Sequence, residues 1–257
     1  MRRWEHEVSA EWLRARKLVL SATDIRKLAP AYRRAVKNKP AEDEIVPEFA
    51  AVWADKHTDG YIDVSSPSSA AARGHVMEPY AVRAWNEQSP STLYHWDDCV
   101  IVNGVIGFSP DALNVEQPEG PVSIDHSEIF PKYGMEIKSY EPGHHMQCCL
   151  KGKMKHDEIM QIAVAFAVCP GLEEMALVFF CPDAPISMHA EVYTRADLSA
   201  QISLVHGVAA EYERNAKLLS AMQPKLEARF SEEEIWNEYI KERMDVSGVF
   251  ASVFDKR

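Results

Sequence analysis

No apolar run in this chain reaches the roughly 18 to 20 residues that a bilayer-spanning helix requires. The opening MRRWEHEVSAEW also has no apolar core of the kind a signal peptide carries. The expectation is a cytoplasmic protein without a membrane partner. Cysteine is scarce and unpatterned: Cys99, Cys148, Cys149, Cys169 and Cys181 make five, an odd number with no CxxC pair. That usage argues against a disulfide framework and against a zinc or iron–sulfur site. Positive charge is in deficit as well, with a formal net charge of −11, where phosphate backbones attract basic surfaces.

The deficit is unevenly spread. Residues 1–40 hold 11 Lys or Arg against 4 Asp or Glu. This asymmetry reads either as an electrostatic footprint for phosphate or as a solvated, arginine-rich helix face. The chain has 257 residues, 46% hydrophobic and 26% charged, which is ordinary for one compact domain with a sizeable core. We expect that domain to span 1–257, with a core over about 12–195 and a helical C-terminal extension over about 196–257.

Taken in order, Val8, Trp12, Leu18, Val19, Ile25 and Leu28 predict two short helices separated by LVLSATD, in which Ser21, Thr23 and Asp24 are good N-caps. A helix N-terminus binds anions through its free N–H groups and dipole. With Arg14 and Arg16 close by, this end reads as a phosphate pocket or as a plain cap with surface arginines. Residues 37–69 read as a loop-rich connection with one short helix near Phe49 to Trp53. A helix follows from Ser69, with Val76, Tyr80 and Trp85 on one side and Glu78 within it. In CVIVNGVIGFSPDAL, Asn103-Gly104 predicts a two-residue hairpin turn, with Asp111 at the end of the returning strand.

Asn114 to Tyr133 has three prolines and little periodicity, and reads as a surface insertion between two core strands. GMEIKS (Gly134 to Ser139) is a strand, and a polar loop with Lys151, Lys153 and Lys155 is expected after it. Ile159 to Cys169 reads as a buried helix whose single polar side chain is Gln161. Two strands, 176–181 and 189–194, precede a long amphipathic helix and a capping box at Ser231 and Glu234.

The chemistry lies in the strand at 134–139. Successive strand side chains alternate between faces, so Glu136 and Lys138 project together, opposite Met135 and Ile137. Asp111, delivered beside them, would bring two carboxylates next to an ammonium. That combination offers hard oxygen ligands to a divalent ion and a group to handle the attacking water.

The order helix, hairpin, strand, helix, carrying R-G-H-V-M-E (Arg73 to Glu78), S-P-D-A-L (Ser109 to Leu113), M-E-I-K-S (Met135 to Ser139) and Gln161, resembles the PD-(D/E)xK nucleases. It is similar in particular to the phage-type alkaline exonucleases of the lambda exonuclease or YqaJ group. W-L-R-A-R…S-A-T-D resembles the segment that holds a 5′-phosphate there, and the resemblance covers about residues 12 to 182. One departure is the 24 residues between Asp111 and Glu136, long for a simple hairpin in this group.

The resemblance implies an α/β (mixed α+β) restriction-endonuclease-like core, a central mixed β-sheet flanked by helices. Asp111 and Glu136 would bind Mg²⁺ or Mn²⁺ with the Ile137 carbonyl, and Glu78 would contact a second ion or a metal-bound water. Lys138 would orient or deprotonate the attacking water, and Gln161 would position that lysine or the scissile phosphate. Arg16, Thr23 and Ser109, with Arg14, would hold the terminal 5′-phosphate.

The implied activity is a 5′→3′ exonuclease that digests one strand of linear duplex DNA and leaves a 3′ single strand for recombination. A toroidal homotrimer, a single-strand annealing protein as partner and a phage or prophage origin come with it. The alternatives are a restriction-type or repair endonuclease of the same fold, and a non-catalytic protein that binds DNA ends.

Overall fold

The structure is a computed structural model that describes residues 9–57, 69–120, 122–151 and 156–227. Ser9 opens the first helix, α1 (Ala10–Lys17), its hydroxyl accepting from the Trp12 amide at 3.1 Å. Ser21 opens α2 (Ala22–Asn38) in a reciprocal capping box with Asp24, so the chain turns inside the predicted LVLSATD break. Next come α3 (Pro47–His57) and α4 (Ser69–Asn86). Five short strands follow: β1 (Tyr94–His95), β2 (Val100–Asn103), β3 (Ile106–Phe108), β4 (Ala112–Leu113) and β5 (Ser123–Asp125). The chain continues through β6 (Tyr133–Lys138), α5 (Pro142–Lys151), α6 (His156–Val168), β7 (Glu174–Phe180), β8 (Met188–Thr194) and α7 (Ser199–Glu227).

The fold is α+β. A five-stranded mixed sheet runs in the order β1-β4-β6-β7-β8, and a three-stranded sheet in the order β3-β2-β5. In the larger sheet β6 and β7 are parallel while the other pairs are antiparallel. A parallel pair needs a crossover, which α5 and α6 supply.

Alternation along β6 divides the core. Met135 and Ile137 pack with Met77, Ala81 and Val82 of α4. On the other face Leu177 and Phe179 of β7 join a cluster with α6, in which every residue from Ile162 to Val168 is buried, and with Val205 and Val208 of α7. A buried Asn215 fixes α7 to the start of α3, accepting from the Val46 amide at 2.7 Å and donating to the Glu211 carbonyl at 2.8 Å. Among the described residues no helix is long and apolar enough to cross a membrane.

Several expectations are corrected. Asn103 pairs with Ile106, so the two loop residues are Gly104 and Val105, one position later than expected. Gly104 has φ 59 and Val105 does not share that sign, the pattern of a turn with glycine at its first central position. Asn103 stays in the strand and its amide donates to the Val168 carbonyl at 3.1 Å. Asp111 does not end β3; it lies where the chain leaves the small sheet and enters β4 of the large one. The segment 114–133 is not only surface, because β5 adds in parallel to β2 and buries Ile124 and Ile129.

The polar loop after β6 is instead helix α5, whose Pro142 occupies the first helical position, where a missing N–H costs nothing. On α4 the buried face is Met77, Ala81 and Val82, and Tyr80 is exposed. The side chain of Lys151, together with Lys153, Lys155 and the Ser231–Glu234 capping box, lies outside the described residues.

One contact ties the N-terminal segment to the sheets. The Leu20 amide donates to the Val105 carbonyl at 2.7 Å and the Gly107 amide to the Leu20 carbonyl at 3.2 Å. This approach needs glycine at 107, since a Cβ there would lie 2.6 Å from Val19 Cγ2. Gly107→Ala is therefore expected to cost about 1–3 kcal/mol by overpacking. Thermal unfolding would register it as a drop in Tm of a few degrees, about 2–4 °C per kcal/mol at this chain length.

Candidate active site

Ser109, Pro110 and Asp111 carry the chain from one sheet to the other, and this crossing sets Asp111. Its backbone carbonyl accepts from the Trp96 amide at 3.0 Å, and its Oδ2 accepts from the Ile137 amide at 2.6 Å. The Asp111 backbone is thereby tied to the end of β1 and its carboxylate to β6. On β6 itself, Glu136 and Lys138 project to one face as alternation requires, and their side chains pair at 2.5 Å. Their neighbours across the parallel ladder are Leu177 and Phe179, so this is the α6 face of the sheet.

A cavity of about 330 Å³ opens here. Glu78, Asp111, Glu136, Ile137, Lys138 and Gln161 all line it, as do Arg16 and Ser109. The sequence-predicted centre is thus brought together by α4, β6, α6 and the inter-sheet crossing. Arg14 and Thr23 are exposed and do not line the cavity; Trp12, Ser21 and Ala22 do.

Three carboxylates facing one half-buried space perturb one another. Burial pushes the Asp111 carboxyl well above the ordinary range, Glu136 and Glu78 push it further, and Lys138 with the Ile137 amide opposes them. Burial disfavours the charge on Lys138, yet Glu136 and Asp111 outweigh it and raise its pKa. For Glu78 burial again pushes up, but His75 and His95 override it and hold the carboxyl at about 2. Those imidazoles flank it, His75 Nδ1 at 3.4 Å from Oε1 and His95 Nε2 at 3.5 Å from Oε2.

Sequence reasoning missed both histidines. His75 stands three residues before Glu78 on the same helix, a spacing that makes side chains neighbours, whereas nothing local points to His95. Ser21, read from the sequence as a cap at a possible phosphate pocket, lines the cavity; the buried Glu158, one helical turn before Gln161, was missed, and the Tyr140 hydroxyl donates to it at 2.5 Å. Tyr140 stacks on His144 with ring centroids 4.2 Å apart. Trp12 Nε1 donates to Ser109 Oγ at 3.1 Å, and the Arg16 guanidinium lies 4.9 Å from the Trp12 ring. These contacts gather a cation and a hydroxyl at the N-terminal side of the cavity.

Among the described residues no three His, Cys, Asp or Glu side chains are grouped closely enough to hold a metal by themselves. Asp111 and Glu136 are a two-carboxylate donor set, the kind that suits a hard ion that keeps waters and takes remaining ligands from backbone or substrate oxygens, as Mg²⁺ does. Burial and the repulsion from Glu136 and Glu78 disfavour the charged form of Asp111, and a divalent ion would relieve that repulsion.

The depressed Glu78 carboxyl sets a pH dependence. A group whose folded pKa is lowered adds stability that is present above its unfolded pKa and lost as pH falls through the folded one. Between the ordinary 4.5 and about 2, the protein should therefore lose about 3 kcal/mol from this group. Glu78→Gln is expected to flatten that part of the stability curve in denaturant titrations run across the acid range.

No protein-family model and no curated protein matches the sequence. Solved structures do match the fold. LHK-Exo in complex with dAMP shares 20% identity, with a TM-score of 0.57, over 85% of this chain and 100% of that one. A second structure, an alkaline exonuclease (LHK-Exo) from Laribacter hongkongensis, shares 18% identity with a TM-score of 0.55 over 85% of this chain and 100% of that one. The chain therefore has the fold of these alkaline exonucleases.

Proposed function

We propose that the chain is a metal-dependent 5′→3′ exonuclease that hydrolyses one strand of linear duplex DNA. The observation that carries the reading is the convergence of Asp111, Glu136 and Lys138 with Glu78 and Gln161 on one cavity. The shared fold supports it, as does the nucleotide bound by one neighbour, dAMP, which has the size of an exonuclease product.

In this reading Asp111 and Glu136, with the Ile137 carbonyl, hold Mg²⁺, or Mn²⁺ in its place, and Glu78 serves a second ion or a metal-bound water. When bound, such an ion supplies Lewis acidity and lowers the pKa of coordinated water. Lys138, charged at neutral pH because its pKa is raised, orients the attacking water and neutralises charge developing on the phosphoryl oxygens. Gln161 positions that lysine or the scissile phosphate. Water adds to phosphorus, the P–O3′ bond breaks, and a 5′-mononucleotide leaves while the strand keeps a new 5′-phosphate.

That phosphate is held at the N-terminal side of the cavity by Arg16, Ser109 and the N-terminal turn of α2 at Ser21 and Ala22, with Thr23 and Arg14 meeting the DNA beyond the cavity. An acidic chain thus offers its basic end to DNA. The toroidal homotrimer and the annealing partner belong to the same reading.

The assay uses 5′-phosphorylated linear duplex with Mg²⁺, against a closed circular control. Degradation of the linear DNA alone is expected, and Lys138→Ala and Asp111→Asn should each slow it by at least about 10²-fold, the scale of a positioned catalytic group. Cutting of the circle points to an endonuclease, and equal degradation by the variants rejects the site.

A further inference from the structure

Lys56 of α3 is only 8% exposed, uncommon for a lysine. Its Nζ donates to the Lys17 carbonyl at 3.2 Å, the Val19 carbonyl at 2.6 Å and Asp24 Oδ2 at 3.0 Å. Three ammonium protons meet three acceptors. Two of the acceptors lie where α1 ends and a helix leaves carbonyls without intrahelical partners. The third is Asp24, the partner of Ser21 in the capping box of α2, and the same Asp24 oxygen receives the Ser21 amide at 3.0 Å and the Ser21 hydroxyl at 2.9 Å.

The arrangement raises an electrostatic problem at the place assigned to the 5′-phosphate. The start of α2 has free N–H groups and the positive end of its dipole, which favour an anion. Asp24 puts a carboxylate in that same first turn, where it repels any incoming phosphate. The carboxylate is ionised: burial pushes it up, but Lys56 and Ser21 outweigh burial and hold it below its ordinary range. Lys56 is buried and does not line the cavity that Ser21 and Ala22 border, so it cancels the charge without occupying the pocket.

We propose that Lys56 is a positioning residue for the 5′-phosphate pocket: its buried ammonium neutralises Asp24, keeps the N-terminal end of α2 attractive to a terminal phosphate and thereby sets the preference for phosphorylated DNA ends. The inference rests on the reading of Arg16, Ser109 and the Ser21–Ala22 start of α2 as the phosphate contacts. Lys56 touches neither the carboxylate centre nor the substrate.

The test compares the full chain, Lys56→Met and the double variant Lys56→Met/Asp24→Asn. Binding to short duplexes carrying a 5′-phosphate or a 5′-hydroxyl is read by fluorescence anisotropy with Ca²⁺ in place of Mg²⁺, and Tm is recorded for each protein. The wild type should prefer the phosphorylated end, and Lys56→Met should lose about tenfold of that preference, the scale of one charge-assisted contact. The double variant, with the charge removed from both partners, should regain most of it, although its packing is no better than that of the single variant.

A preference unchanged in folded Lys56→Met overturns the inference. So does a preference that falls in the single variant and stays lost in the double, since the role is then structural. If Lys56→Met does not fold, the double variant decides: near-wild-type preference supports the charge argument and its loss overturns it. A wild type indifferent to the 5′-phosphate removes the phosphate pocket and this inference with it, while leaving Mg²⁺-dependent cleavage to be judged separately.

Discussion

Repulsion among Glu78, Asp111 and Glu136 is the constraint around which the cavity is arranged. Like charges gathered in a half-buried space of low dielectric are costly unless each has a partner. Each carboxylate is met differently: Glu136 by the ammonium of Lys138, Glu78 by two imidazoles, and Asp111 by a backbone amide of β6 together with a raised pKa. Asp111 is left as the group with least compensation, beside Glu136 and at the junction of the two sheets. In the proposed function, a divalent cation would supply the compensation that this pair lacks.

A second constraint is imposed by the N-terminal segment. Trp12, Leu20, Ile25 and Leu28 bury it in the core, and the Leu20–Ile106 bridge and the three hydrogen bonds of Lys56 fix its position. These bring Arg16 and the start of α2 to the wall of a cavity whose acidic residues lie far away in sequence. Beside the same bridge the Val19 side chain packs onto residue 107, so that close packing, not loop flexibility, explains the glycine there. A chain with a net charge of −11 thereby presents cationic and dipolar groups on one side of its acidic centre.

Much of the centre was legible in the sequence because two periodicities report side-chain direction without knowledge of the fold. Alternation put Glu136 and Lys138 on one face of β6, and the apolar run around Gln161 marked α6. The proline turn after a strand-like run singled out Asp111, and Glu78 came only from the resemblance to the nucleases. What escaped has physical reasons. α5 was hidden because Pro142-Gly143 reads as a breaker when it is a helix start, and β5 because three residues with one buried side chain carry no period. His95 was invisible because its contact with Glu78 joins β1 to α4, and Lys56 because a helical lysine is ordinarily solvated.

The sequence by itself determined the main helices, the strand with the E-x-K pair, the capped start of α2 and the basic bias of its first residues, all consequences of local propensity and pattern. Only the tertiary structure decided that β2 and β3 belong to a separate sheet, that Asp111 enters β4 at the crossing between sheets, and that a lysine 32 residues from Asp24 neutralises it from within the core. Pairing between segments distant along the chain depends on register, burial and the sharing of charge, and no window of residues carries that information.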